Sequence, residues 1–276
     1  MRPYLRRRRF DWDWHWQALR DALDEVGPCL SHDGRLVTLF EPEGGDMIVS
    51  VCLAAANAGY RLRGWGYTPE VGYRLTWSRD GSTRSMPLDG AEARRAIAAR
   101  VEEAVVDALR RRGEPTQDTL LHAVAHARLV EQGLFGGPIA LEDGATTRAF
   151  IEEAVSAGVQ AAPMVRLGDE AQNGHIRWCT RESDGAEDPL ADRVEGRVRS
   201  LLSQRRVWGD SELINAVYAR FSGPLTPDLT FVRTCLSSYG VCENGEVRLR
   251  REDDLEQRSR EIGMVRRNLL DLGRRL

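Results

Sequence analysis

Lysine is absent from this sequence: all 39 basic residues among its 276 are arginine. Without lysine there is no Gly-x-x-x-x-Gly-Lys phosphate loop, and no Gly-x-Ser-x-Gly elbow of a serine hydrolase occurs either. The bias itself fits a skewed genome and carries no functional signal. Cysteine is sparse: Cys29, Cys52, Cys179, Cys235 and Cys242 are odd in number, scattered and without a Cys-x-x-Cys spacing. That argues against a disulfide scaffold or a zinc ribbon and fits a reducing compartment. Long apolar runs are missing too. The longest, MIVSVCLAAANA at 47–58, falls short of the roughly 20 residues that a membrane span needs, and no apolar signal-peptide core follows the basic start. The net charge of −3 gives no global field toward nucleic acid or an anionic membrane. The expectation is a soluble, cytoplasmic chain with no membrane partner, whose nucleic-acid surface, if present, is local.

What is present is periodicity, over a length that accommodates two or three domains. The opening LRRRRFDWDWHW (5–16) sets four arginines beside alternating tryptophans, the composition of a single-stranded nucleic-acid arm. From there Trp12, Trp16, Leu19, Leu23, Val26 and Leu30 follow the steps of one helical face, so the tryptophans on that stripe read as core. The turn SHDG (31–34) is expected to end that helix. RLVTLFE (35–41) reads as a buried parallel strand, MIVSVCLAAANAG as a buried helix closed by Gly59, and YRLRGWGY and YRLTWSR, separated by TPEVG, as a hairpin.

SRDGSTRSMPLDG (78–90) has the composition of a linker. Three helices follow, at about 91–112, over TQDTLLHAVAHARLVEQG and at 146–158, then two short strand candidates in AAPMVRL and HIRWCTR. A second linker, SDGAEDP (183–189), precedes the same order in cleaner form. Helices are expected at about 190–204, at 210–221 and at 227–240, the last opened by Thr226 as N-cap and Pro227 at its first position. VCENGEVRLR then carries Asn244-Gly245, a hairpin-turn dipeptide. Three helices and a hairpin is winged-helix order. The closing helix puts Leu255, Ile262, Val265, Leu269, Leu272 and Leu276 on one stripe, to pack on its own domain or a second subunit.

Candidate sites follow from these elements. Arg6, Arg7, Arg8 and Arg9 are candidates for phosphate contact or a solvated basic cap. In the last segment the third helix is the groove reader of a winged helix, offering Thr230, Arg233, Ser237 and Ser238, while Arg248, Arg250 and Arg251 suit phosphates along the wing, with the acidic 252–254 beside them. HAVAH (122–126) places two histidines at i and i+4, a zinc spacing, but lacks a glutamate and a third ligand and reads as ordinary histidines. No catalytic residue and no metal site is expected.

The Trp-rich helix, DGRLVTLFE, the helix ending AANAGYRLRGW and the hairpin closing on GYRLTW together resemble the second half of a Rossmann-like S-adenosylmethionine-dependent DNA methyltransferase, over roughly residues 5–79. In that fold they are the later strands of the sheet, closed by an antiparallel hairpin. The remaining segments look like the winged-helix modules appended to prokaryotic DNA-modification proteins. The resemblance implies a cofactor loop and an Asp-Pro-Pro-Tyr tetrad for a flipped base. Neither is here: MRPY (1–4) keeps only Pro-Tyr. A rival registration makes EPEGGD the cofactor loop, with Glu41, Gly44 and Gly45 holding S-adenosylmethionine, although the following strand offers Arg61 and Arg63 where an acid is needed. The expected architecture is a partial Rossmann-like α/β domain (1–79) followed by two α+β winged-helix-like domains (91–182 and 189–276). The expected function is a non-catalytic or split DNA-modification protein that binds duplex DNA and takes no cofactor. Because an open strand edge demands a partner, the expectation is that a second chain completes its half-sheet, that the chain self-pairs there as a homodimer, or that the fragment is repacked into a small stand-alone layer. The alternatives are a degenerate methyltransferase using EPEGGD, and an assembly module without DNA contact.

Overall fold

The computed structural model describes residues 11–31, 33–41, 44–79, 88–135, 139–140, 147–167, 177–180, 186–253 and 255–273. Over these residues the chain is mixed α/β, mostly helical, with small three-stranded antiparallel sheets. It forms two compact units: Met1–Leu190 with Ser222–Thr226, and Ala191–Phe221 with Pro227–Leu276.

In the first unit α1 (Trp12–Val26) starts at Asp11, whose carboxylate accepts the Asp13 N–H at 2.9 Å, a side-chain N-cap. Leu23 is buried, and Trp16 and Leu19 pack against the core. Val26, placed inside by its spacing, is exposed. The helix ends before SHDG because Pro28 intervenes and Gly27–Cys29 form a 3-10 turn. The strand β1 (Leu36–Phe40) leads to α2 (Gly44–Asn57), β2 (Tyr60–Thr68) and β3 (Gly72–Arg79). From Ile48 to Ala56 every residue of α2 is buried, as its unbroken apolar run demands.

The sheet order is β1-β3-β2, with β3 antiparallel to both neighbours. This corrects the expectation of a buried parallel strand at 35–41: its ladder partner is antiparallel, and only one of its faces is covered. Leu36, Thr38 and Phe40 face inward, while Val37 and Leu39 are 42% and 66% exposed. An apolar run of five residues cannot by itself separate these cases. Trp77 lies opposite Leu36 and Leu62 and donates its indole N–H to Thr38 Oγ1 at 3.0 Å. The Tyr60 hydroxyl donates to the Leu23 carbonyl at 3.0 Å, tying sheet to helix.

The same unit continues through β4 (Leu88–Asp89), α3 (Gly90–Arg112), β5 (Thr116–Gln117), α4 (Asp118–Glu131), β6 (Ile139–Ala140), α5 (Thr147–Ala161), β7 (Met164–Leu167) and β8 (Arg177–Thr180). One hydrophobic core runs from α2 and the first sheet into α3, α4 and α5. It therefore joins segments that composition assigns to separate domains. Gly158 lets α5 approach α3 closely, since a Cβ there would lie 2.9 Å from Val101. Gly113 closes α3 at φ +64, where a Cβ would meet the Glu187 carbonyl.

The second unit contains α6 (Leu190–Gln204), β9 (Trp208–Gly209), α7 (Asp210–Tyr218), α8 (Leu229–Tyr239), β10 (Gly240–Glu243), β11 (Glu246–Leu249) and α9 (Leu255–Gly273). Its core is Val194, Val198, Leu201, Leu202, Leu213, Val217, Val232, Cys235, Leu236 and Val247. Asn244 and Gly245 take φ 54 and 79, the pair of positive angles that a two-residue primed hairpin turn requires. The start of α8 differs from expectation. The Thr226 hydroxyl donates to the Gly223 carbonyl at 2.9 Å instead of capping, Pro227 stays outside, and Asp228 is the N-cap residue.

The two units share a module. In the first the order is α3, β5, α4, α5, β7, β8, with β6 between α4 and α5 pairing to β4 outside that sheet, and sheet order β5-β8-β7; in the second it is α6, β9, α7, α8, β10, β11 with sheet order β10-β11-β9. Registers coincide as well. Met164 to Leu167 pair with Thr180 to Arg177 as Gly240 to Glu243 pair with Leu249 to Glu246, and Gln117 faces Arg177 as Gly209 faces Glu246. Counting on from the equivalent positions Gln117 and Gly209 puts Asp118 level with Asp210, Leu121 with Leu213, Ala127 with Ala219 and Arg128 with Arg220. The two modules repeat one topology within the chain.

Candidate nucleic-acid interface

The third helix of the second module, α8, buries Val232, Cys235 and Leu236 and turns its other side outward. Thr230, Arg233, Thr234, Ser237 and Ser238 are all exposed. Their spacing puts them on one face, so the structure brings together the four residues expected there and adds Thr234. No acidic residue lies between Leu229 and Tyr239. The hydroxyls of Thr234, Ser237 and Ser238 donate to carbonyls of the preceding turn at 2.9 Å. That holds their rotamers and leaves the oxygen lone pairs outward. Arg233 stands exposed beside them.

The wing arginines are differently placed. Arg248 on β11 is exposed but paired with Glu246 at 2.8 Å, and Glu243 and Glu246 flank the turn. Arg250 donates to the Ser237 carbonyl at 2.5 Å and lies 3.8 Å from Glu252. It thus ties the hairpin's end to the last turn of α8, where a cation complements the helix dipole. Behind the helix the Tyr239 hydroxyl bonds to the Glu195 carboxylate, and that bond raises the tyrosine pKa. The face of α8, more than the hairpin, therefore offers Arg233 as a donor to a phosphate or a base edge, with outward hydroxyl oxygens beside it as acceptors. Arg251 is exposed in the turn after β11. Arg6, Arg7, Arg8 and Arg9 lie outside the described residues.

The corresponding helix of the first module is built otherwise. The outward positions of α5 are Ala149, Glu153, Ala157, Gln160 and Ala161, with Glu152 half-buried. Its one arginine, Arg148, is turned inward between the carboxylates of Asp46, Glu152 and Asp13, the last two at 2.8 and 3.4 Å. Burial and the neighbouring Asp46 charge raise the Glu152 pKa. This cluster clamps the start of α5 to the first turns of α1 and α2, across 102 residues between Arg148 and Asp46. Nothing in the local pattern signals it.

The residues of the rival cofactor loop sit at this same corner. Glu41 is exposed at the end of β1, and Gly44 and Gly45 open α2 just ahead of Asp46. Along α3 and α4 runs a cleft of about 690 Å³ floored by Trp65 and Val124. Several of its rim charges are paired within the protein: Arg111 with Asp107 at 3.8 Å, and Arg128 with Glu103 and Glu131 at 3.9 Å each. Of the two histidines, His126 is buried, its Nδ1 lies 2.6 Å from the His122 carbonyl, and burial drives its pKa down to about 3. His122 instead reaches Asp118 at 3.5 Å. Among the described residues no three His, Cys, Asp or Glu side chains gather as metal ligands, and no helix is long and apolar enough to cross a membrane. No family model, no curated protein and no solved structure matches the chain.

Proposed function

We propose that this chain is a duplex-DNA-binding protein in which the second module is a winged helix presenting α8 to the major groove. The observation that carries this reading is the outward face of α8: one arginine and four hydroxyls without an acid, on the third helix of a module with a β-hairpin and a third strand pairing to it. Third helices of that order enter the groove, with arginine suited to guanine or phosphate and hydroxyls to either. The first winged helix is a scaffold in this reading, because its corresponding helix shows acids and alanines.

The first sheet supports a non-catalytic relative of the DNA-modification enzymes. Because β3 is antiparallel to both neighbours, β1 and β2 run the same way, with α2 between them in sequence. Later sheet strands closed by a terminal antiparallel hairpin have this form. The outer edge of β1 has no ladder partner among the described residues, and Val37 and Leu39 leave its far face apolar; a second chain completing the sheet fits that edge.

The test is anisotropy of a labelled duplex titrated with the full chain at several salt concentrations. Binding should weaken steeply with salt, and Arg233→Glu should lower affinity at least tenfold and reduce the log–log salt slope by about one. Binding that is absent at low salt, or indifferent to Arg233, overturns the proposal.

A further inference from the structure

The last helix, α9, stands exposed along the stretch whose side chains are described. Between Ser259 and Leu269 each residue is exposed except Gly263, which is half-exposed. Ile262, Val265 and Leu269 are 68%, 57% and 64% exposed, yet they lie on one side of the helix. A helix in water draws most of its stability from packing such a stripe, so this one calls for a partner. The repeat says which kind. Leu255, Ile262, Leu269 and Leu276 recur every seven residues, with Val265 and Leu272 at the intermediate positions. A sustained seven-residue period gives the seam of a left-handed coiled coil, whereas a face packed on a globular core follows 3.6.

We propose that α9 pairs with α9 of a second copy of this chain as a parallel two-stranded coiled coil. The flanking charges favour that occupant and that direction. Glu261 and Arg266 occupy the two seam-flanking positions that a parallel pair brings together, five residues apart. Each dimer thus gains two Glu261–Arg266 pairs related by its two-fold axis. Antiparallel pairing in the register that keeps Ile262, Val265 and Leu269 against apolar partners places Arg266 opposite its own copy. The seam is short, and Arg258 occupies its first intermediate position, so dissociation falls at about micromolar concentration.

Pairing through α9 does not depend on DNA, and its test contains none. Sedimentation velocity of the full chain across about 0.5–100 μM should show a species of twice the chain mass growing with concentration. Ile262→Asp and Leu269→Asp, both at exposed positions that leave the fold intact, should remain single chains throughout. Glu261→Arg should raise the dissociation midpoint about tenfold, and mixing it with Arg266→Glu should restore pairing between the two variants. Ile262→Cys should form a disulfide to itself on mild oxidation, absent from the parent, since a parallel seam apposes equal residues. A parent that stays a single chain at the highest concentration overturns the proposal, as does Ile262→Asp pairing like the parent. A dimer in which Ile262→Cys forms no disulfide to itself overturns the parallel arrangement.

Discussion

The two copies of the helix–strand–helix–helix–hairpin module share a topology and a strand register but are put to different uses. In the first, α4 buries Leu120, Leu121, Ala123, Val124, Ala125, His126, Ala127, Leu129 and Val130, because α2 and the first sheet lie against it. In the second, α7 buries only Leu213 and Val217. The third helices diverge in parallel: Arg148 of α5 is taken inward by three carboxylates, while Arg233 of α8 is left outside among hydroxyls. Where the repeated module is part of a larger core, its third helix spends its arginine on holding the helix in place. Its twin keeps a small core and a polar face.

The largest test of this contrast is the equivalent pair Leu121 and Leu213, both fully buried. Leu121→Ala, enclosed on more sides, should cost about 4 kcal/mol and Leu213→Ala about 3, read from urea unfolding of the full chain. Equal costs would mean that the first copy is no better embedded than the second. The next test is acid. His126 is level with Tyr218, whose hydroxyl donates to the Pro227 carbonyl at 3.2 Å. Because burial lowers the His126 pKa to about 3 from 6.5, the unfolded chain takes up a proton that the folded one refuses. Stability is therefore unaffected above pH 6.5 and lost as pH falls from 6.5 toward 3, by about 2–3 kcal/mol at pH 4.5. His126→Leu should flatten that part of the stability–pH curve. The smallest effect belongs to the outer face of α5. Glu153→Ala, which removes an exposed pair with Arg94 at 3.2 Å, should change stability by less than about 0.5 kcal/mol and leave DNA affinity unchanged.

Much of this organisation was legible in the sequence where the signal is local. The apolar run of α2, the Asn244-Gly245 turn and the outward residues of α8 all follow from spacing and turn chemistry. What escaped depends on distant partners. The direction of β1 is set by β3, some forty residues on, and its five residues read the same either way. The Arg148 cluster joins three helices, and a sequence window shows only an arginine in an ordinary helix. Thr226 looked like an N-cap because its type and the following proline fit one, yet its hydroxyl found the Gly223 carbonyl first. The repeated topology was hidden because β5 and β9 are two residues each, and the helices in equivalent register share only scattered identities such as Asp118 with Asp210 and Arg128 with Arg220.

The central claim, that one copy reads DNA and the other supports the fold, is tested most directly by hydrogen exchange with and without a duplex at low salt. Amides slow in exchange where a ligand holds the structure closed. The account predicts added protection over Leu229–Leu249, spanning α8 and the hairpin behind it, with α5 unchanged. Protection at Thr147–Ala161 in place of α8, or none in either copy, would contradict it.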